Sequence, residues 1–439
     1  MRCYLERKML LWALLVVFLL TGAVVAKNDD PARLAKKILD VTNVEGGLVV
    51  HLGCGDGRLT AALRANESYT VHGLDADPAK VAEARGYIHE QGIYGPVSIE
   101  RFSGSVLPYT DNLINLVVVQ DAGQVRREEV MRVLAPGGVA CAERNGRWKK
   151  ITKSWPANID QWTHFLHDAS NNAVADDSVV GPPRSLQWAA PPLWLRSHET
   201  PSGIQCTVSA GGRIFYFFDE GLIGITDERL PDRWSLICRD AFNGKLLWKR
   251  PLESWGWREW DSKRWQGKDW TTIRGGRTNV PNENQRRIVV DGDRLYTTLA
   301  YRAPMSILDA TTGDIIATVD QTRDASEILI SDGIVVVYTR NEPDGAARRR
   351  GTQGTTGGTL VAVNGQTAEV LWQKQVGQIR PLALAIDNDR TIYLSSKNLV
   401  ARDLRNGREL WSIQPKQTSP RTLLTVDDTV VMQGGKFVA

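Results

Sequence analysis

Nine residues, Val49-Val50-His51-Leu52-Gly53-Cys54-Gly55-Asp56-Gly57, join an apolar run to a G-x-G-x-G turn. Glycines at that spacing let a backbone turn tightly and approach a ligand closely. A second apolar run, Tyr69 to Leu74, ends on Asp75. A carboxylate there can accept hydrogen bonds from ribose hydroxyls, so the pair of features predicts a nucleotide pocket. A dinucleotide fingerprint needs a small residue three positions after its second glycine. Arg58 holds that position, which argues against a dinucleotide.

The elements that must position these groups are readable around them. A strand ends at Leu52, a helical pattern runs from Arg58 to Leu63, and a second strand ends at Asp75. Further landmarks follow in order: the turn Gly104-Ser105-Val106-Leu107-Pro108-Tyr109, an apolar strand from Leu113 to Gln120, and Arg132-Val133-Leu134-Ala135-Pro136-Gly137-Gly138. Together they resemble the class I S-adenosylmethionine (SAM)-dependent methyltransferases: motif I, the acidic residue on strand two, the turn after strand three, strand four and the turn before strand five.

The resemblance implies a doubly wound, Rossmann-like α/β sheet that binds SAM. It implies that Gly53, Cys54, Gly55 and Gly57 form the close-approach loop and that Asp75 holds the ribose. It places the Ser105-Val106 backbone by the adenine and Gln120 at the end of strand four in the same pocket. The chain departs from the family at His51, where motif I usually starts with an acid, and at Ser105, where a carboxylate is usual. The strands that normally follow strand five are not recognisable. No catalytic residue is assigned, because in-line positioning supplies much of the effect in methyl transfer.

The first 26 residues read as a signal peptide. Arg2, Arg7 and Lys8 precede an apolar stretch from Met9 to Leu20, and small or branched residues run from Ala23 to Ala26. Left uncleaved, Met9 to Ala26 is long enough to anchor the chain in a membrane. Either way the rest of the chain is expected outside the cytoplasm, in the periplasm or envelope. Cys54, Cys141, Cys206 and Cys238 remain after cleavage. An oxidising compartment permits disulfides, but spacing cannot pair them, and no C-x-x-C suggests a zinc ribbon or redox motif.

Over 439 residues the formal charge is only +4, which gives no argument for nucleic acid. Composition shifts near Arg147: all tryptophans but Trp12 lie beyond it. The domain reading is 27–147 for the SAM-binding unit, 148–200 for a connector rich in Trp and Pro, and 201–439 for a repeat domain. Within the connector, His164 and His167 sit beside Asp168. Two imidazoles and one carboxylate make a thin metal site. The preferred reading is a short amphipathic element that docks the two domains, with no metal.

From about Gly203 a unit recurs. Asp240-Ala241-Phe242-Asn243-Gly244-Lys245-Leu246-Leu247-Trp248 returns at Asp309 to Ala317, at Asn364 to Trp372 and at Asp403 to Trp411. Asp or Asn starts a turn, Gly supplies a positive φ, and a strand ends on Trp. An alternating strand precedes each copy, and a fifth unit starts at Thr422. Near-40-residue repeats of about four strands fit propeller blades, with the Trp packed between neighbours. The repeats resemble the pyrroloquinoline quinone (PQQ)-like propellers, a family that includes quinoprotein dehydrogenases and the propeller lipoprotein of outer-membrane protein assembly. The dehydrogenases' adjacent Cys pair is missing, so PQQ is not the expected cofactor.

A run from Trp255 to Trp270 carries five Trp among Arg and Lys. It suits a glycan or protein partner if exposed, though burial of its own rings is the commoner outcome. The run Arg348 to Gly358 reads as a flexible loop. The expected whole is an all-β propeller that binds protein or glycan, joined to a methyltransferase-like SAM domain acting on an unknown acceptor. The alternatives are an exported non-catalytic envelope scaffold and a quinoprotein oxidoreductase.

Overall fold

The computed structural model describes residues 30–144, 147–179, 181–182, 185–191, 203–221, 232–256, 259, 282–340, 357–416, 422–433 and 437–438. The export segment, Trp257, Trp260, Trp265, Trp270 and residues 348–356 lie outside these residues. Among the described residues no helix is long and apolar enough to cross a membrane.

The first half alternates helices and strands: α1 (Pro31–Thr42), β1 (Gly47–Leu52), α2 (Arg58–Ala62), β2 (Tyr69–Asp75), α3 (Pro78–Glu90), β3 (Val97–Arg101), β4 (Ile114–Val119), α4 (Arg127–Val133), β5 (Leu134–Arg144) and β6 (Arg147–Thr152). The long helices start where their sequence says. Asp30 and Asp77 cap α1 and α3, each with Pro at the first turn, where its missing N–H costs nothing. The sheet order is β3-β2-β1-β4-β5-β6. Strands β1 to β5 are parallel, and β6 returns antiparallel to β5. Val49, Val50, Leu116 and Val117 are fully buried, as expected for strands covered on both faces.

Strand β6 lies past the boundary read at Arg147. Its Trp148 is buried in the core formed by α1, α3 and the sheet, so the α/β unit runs to Thr152. The mostly polar run Lys149-Lys150-Ile151-Thr152, with no alternation, hid this edge strand, which is exposed along most of its length.

The second half is all β. Its first four sheets have four strands each: β7 (Ile204–Ala210), β8 (Arg213–Asp219), β9 (Trp234–Asp240), β10 (Leu246–Pro251); β11 (Ile288–Asp291), β12 (Arg294–Thr298), β13 (Met305–Asp309), β14 (Ile315–Val319); β15 (Ala325–Ser331), β16 (Ile334–Arg340), β17 (Gly358–Asn364), β18 (Val370–Val376); β19 (Ile379–Asp387), β20 (Arg390–Ser395), β21 (Asn398–Asp403), β22 (Glu409–Ile413). A fifth holds β23 (Thr422–Val426), β24 (Thr429–Gln433) and β25 (Phe437–Val438). All pair antiparallel as up-and-down meanders. The first strands of successive sheets contact one another, so they line the axis of a propeller and the fourth strands face outward.

The recurring turn closes the same way in all four copies. The side-chain oxygen of Asp240, Asp309, Asn364 or Asp403 accepts from the N–H groups two and three residues on, at 2.8–3.2 Å. Two of the three expected Trp dock on the next blade's turn. Trp248 Nε1 donates to Ala310 O at 3.0 Å and its ring covers Gly313; Trp372 donates to Leu404 O at 2.8 Å and covers Gly407.

One junction lacks this pair on both sides. Copy two ends on Ala317, and the turn glycine of copy three is Ala368, at φ 63°. There Tyr296 Oη donates to Gly365 O, the carbonyl matching Ala310 and Leu404. The connector supplies the missing lock at the other end. Trp188 covers Gly244 and donates to Ala241 O at 3.0 Å.

The connector also threads the propeller axis. Trp162 O accepts from Ser209 N–H, Thr163 O from Val290, His164 Nε2 from Ile330, Ala169 O from Ile386 and Ser170 O from Thr425. These donors are the next-to-last residues of β7, β11, β15, β19 and β23, so one segment satisfies the same position of five inner strands. Asn171 Nδ2 adds bonds to Leu384 O and Leu423 O. An amphipathic docking element was the expectation. The structure has a non-helical plug instead: a tight turn, closed by the N–H groups of Thr163 and His164 on His167 O, interrupts a segment whose other backbone groups bond the inner strands.

Candidate functional site

Strand order reverses between β1 and β4, which opens a crevice at the carboxyl ends of the parallel strands. A cavity of about 210 Å³ lies there, lined by Leu52-Gly53, Leu74-Asp75-Ala76, Phe102-Ser103-Gly104 and Asp121 to Val125. The loop above it is built from left-handed glycines: Gly53, Gly55 and Gly57 have φ of 73°, 55° and 79°. A side chain at Gly53 would collide with Asp121, and one at Gly57 with Ala84, while Gly55 faces open space. Gly53 thus lets β1 and β4 close up, Gly57 lets α3 pack, and Gly55 leaves room for a ligand.

Asp75 is 8% exposed. Its Oδ2 accepts from Gly55 N–H and its Oδ1 from Asp77 N–H, both at 3.0 Å. One carboxylate therefore fixes the glycine loop and the start of α3, and it keeps lone pairs for further donors.

His51 is fully buried under the loop. Nε2 pairs with Gln120 Oε1 at 2.9 Å and Nδ1 with Thr60 Oγ1 at 2.8 Å. Burial lowers its pKa to about 4, against the raising pull of the Gln120 bond and Asp75. The ring is neutral at pH 7. Nε2–H donates to the carbonyl oxygen of Gln120, and Nδ1 accepts from the Thr60 hydroxyl. His51 therefore ties the ends of β1 and β4 together where the family usually has an acid.

Gly53 and Asp75 line the cavity directly, and Gly55 is bonded to Asp75. Cys54 contributes backbone only. Its side chain packs in the core against Gly73, and burial with the nearby Asp75 charge pushes its thiol up to about 12. Ser105, Val106 and Gln120 stand beside the lining rather than on it, and Val106 is 68% exposed.

Sequence reasoning passed over Phe102 and Ser103, just before the turn that opens on Gly104, and Asp121, whose Oδ1 accepts from Gly123 N–H at 2.9 Å. It also passed over the clamp behind that turn. Arg132 donates to Tyr109 O and Leu107 O and pairs with Glu129 and Asp111; Glu129 Oε1 accepts from Leu107 N–H at 2.7 Å. The signal was present: Arg132 opens the motif before β5.

The other expected chemistry is absorbed structurally. His164 uses its Nε2 lone pair on Ile330 N–H, and burial lowers its pKa to about 4. His167 Nε2 bonds Asp160 Oδ2 at 2.6 Å. Among the described residues no cluster has the makings of a metal site. The four cysteines are buried and free. Trp255 is buried and stacks on Phe217 at 4.9 Å.

The cavity fits SAM in kind. It has a carboxylate for a ribose, an open backbone loop at Gly55 and the half-buried Phe102 ring beside it.

The two domains meet at the opposite, amino end of the parallel strands. Asn115 Nδ2 donates to Asp240 Oδ2 at 2.6 Å, and its Oδ1 accepts from Asn243 Nδ2 and Leu48 N–H. Ser68 Oγ bonds Leu247 O, and Gln187 Nε2 bonds Phe242 O. Burial raises the pKa of Asp240, opposed by the Asn115 bond.

Residues 49–138 match the family described as "Methyltransferase domain", and residues 256–439 match "Outer membrane protein assembly factor BamB". Among curated proteins, the methyltransferase GfsG of Streptomyces halstedii is 29% identical over 114 residues, 24% of this chain and 41% of that protein. Norajmaline N-methyltransferase of Rauvolfia serpentina is 30% identical over 116 residues, 25% of this chain and 36% of its own. The chain thus spans well under half the length of these two relatives. A solved SAM-dependent methyltransferase from Aquifex aeolicus superposes on 27% of this chain and 73% of its own, at 22% identity and a TM-score of 0.24. On the two family matches, the chain joins a methyltransferase-type domain to a PQQ-like, BamB-type repeat domain.

Proposed function

We propose that the α/β domain binds SAM and transfers its methyl group to an acceptor outside this chain. The observation that carries this reading is Asp75. It is held rigidly at the rim of the cavity by two backbone N–H groups, beside a glycine loop with open space at Gly55. Bound SAM would supply an electrophilic methyl on a sulfonium. The chain's own part is to orient it. Asp75 would accept from the ribose hydroxyls, the backbone of Gly53 to Gly55 would approach the amino-acid end, and Phe102 to Gly104 would flank the base. His51, through Gln120, and Arg132, through the Leu107–Tyr109 turn, act as positioning residues.

The propeller serves as a docking platform for a protein or glycan, and the protein works in the envelope. The match to an outer-membrane assembly factor supports that reading.

Titration of SAM into the full chain by calorimetry tests the proposal, with Asp75→Ala and Asp75→Asn beside it. Losing hydrogen bonds to a charged acceptor costs about 1–3 kcal/mol, roughly 5- to 150-fold in affinity. Micromolar binding that weakens in both variants supports the assignment. Binding unchanged by Asp75→Asn, with the variant folded, refutes the pocket. No binding by the folded wild type favours the second reading, a non-catalytic scaffold that keeps the fold. The departures at His51 and Ser105 speak for that alternative.

A further inference from the structure

We propose that Arg287 is the centre of an oxyanion-binding site at the end of the propeller axis opposite the connector plug, taking the carboxylate or phosphate group of a small molecule. This site is independent of the methyltransferase pocket.

Arg287 precedes β11, and the pairing of Ile288 with Thr297 puts it across from Thr298 on β12. It is only 5% exposed. Among the described residues the one hydrogen bond of its side chain runs from Nη1 to Asn284 Oδ1 at 3.1 Å, and its Nε has no partner. The side-chain hydroxyls of Thr297 and Thr298, at 0% and 1% exposure, also lack partners among the described residues.

Among the described residues, the charge around Arg287 is of the wrong sign to neutralise it. Its charged neighbours are Arg286 and Arg340, and the one buried carboxylate nearby, Glu327, lies 3.3 Å from Arg286 Nε. Cys206 faces Arg287 as a neutral thiol, because burial pushes its pKa up. Burial lowers the pKa of Arg287 to about 10, helped by Arg340 and Arg286 and resisted by Tyr301 and Cys206. The guanidinium therefore stays charged at pH 7.

A buried charge without a counter-ion is strongly destabilising, and buried polar groups are normally satisfied. A planar guanidinium matches an oxyanion in a two-pronged geometry, and Thr298 lies across the strand pair as a further donor. The site lies at the end of the axis away from the connector. Cys206, Arg287 and Glu327 lie toward the amino ends of β7, β11 and β15, whereas the connector fills the carboxyl ends of these strands.

The test titrates inorganic phosphate and succinate separately into the full-length wild type, Arg287→Met and Arg287→Lys, read by calorimetry and thermal unfolding. The wild type should bind and be stabilised by at least one anion; the stronger of the two names the group. Arg287→Lys keeps the charge but not the fork and should bind about tenfold more weakly. Arg287→Met should bind neither anion. In anion-free buffer it should melt at or above the wild-type temperature, since removing an uncompensated buried charge relieves its desolvation. The proposal is overturned if the wild type responds to neither anion, or if Arg287→Met keeps the response. An Arg287→Met chain that melts lower or fails to fold also overturns it, because the charge is then compensated within the protein.

Discussion

Replacing Gly407 with Ala isolates the lock between the third and fourth blades. Gly407 has φ 69°, and an added Cβ would stand 2.7 Å from Trp372 Cδ2. Two costs follow. An L-residue in the left-handed region costs about 1–2 kcal/mol. The ring must also move, which breaks the bond from Trp372 Nε1 to Leu404 O at 2.8 Å and strands a buried donor, for about 1–3 kcal/mol. The single variant should lose about 2–5 kcal/mol. In a Trp372→Ala background the second cost vanishes and Gly407→Ala should cost only about 1–2 kcal/mol, leaving a coupling of about 1–3 kcal/mol. Urea unfolding followed by far-UV circular dichroism measures all four corners, provided the m-value is constant. Equal costs of Gly407→Ala in both backgrounds would refute the claim that the glycine exists for the indole. Nature's own control is Ala368: with Ala317 in place of Trp, an alanine holds φ 63° there.

Two further outcomes are expected. Burial lowers the pKa of both His51 and His164 to about 4, so the native state refuses protons that the unfolded chain accepts near 6.5. Their contribution is complete above about pH 6.5 and is lost as pH falls toward 4; each is worth on the order of 3 kcal/mol across that window. Unfolding free energies at pH 7, 6 and 5 should fall less steeply for His164→Asn than for the wild type, and an identical slope would show that His164 is charged in the fold. A protease site inserted at Val174, which is 67% exposed, should be cut without releasing the methyltransferase domain. The pieces should co-elute in native buffer and part only in urea, because residues 160–171 are hydrogen-bonded to five inner strands. Separation in native buffer would show that the plug is not what holds them.

The parts legible in the sequence are those whose partners are local. Gly53 to Gly57 and Asp75 declare a strand, a turn and a carboxylate within one unit, and the structure bonds Asp75 to that same turn. The Asp–Gly–Trp copies close their own turns, so four blades could be counted from spacing. The illegible parts depend on distant partners. The connector has no periodicity because its bonds go to strands as far away as Leu423, 252 residues from Asn171. The spacing of His164 and His167 allows a ligand pair, which the preferred docking reading set aside, but does not disclose that His164 is an acceptor for one strand's N–H. Trp188 was readable in principle: Leu186-Gln187-Trp188 repeats the end of Leu246-Leu247-Trp248, but no Asp-Gly turn precedes it.

The position of the domain contact constrains how the two halves work together. The propeller grips the amino ends of β1, β2 and β4 through Asn115, Leu113 and Ser68. The SAM-type cavity opens at the carboxyl ends of the same strands. A six-residue strand is about 20 Å long, so nothing held in the turn of the first blade can reach that cavity directly. A platform that delivered substrate by contact would sit at the carboxyl ends, where loops are free to vary. Docking at the far end leaves the cavity mouth open to an acceptor from solution. It also makes the Asn115–Asp240–Asn243 network a hinge-free mount: Asn115 bonds Leu48 within its own sheet and two blade residues at once. On the proposed reading, the propeller would fix where the α/β domain sits rather than complete its cavity.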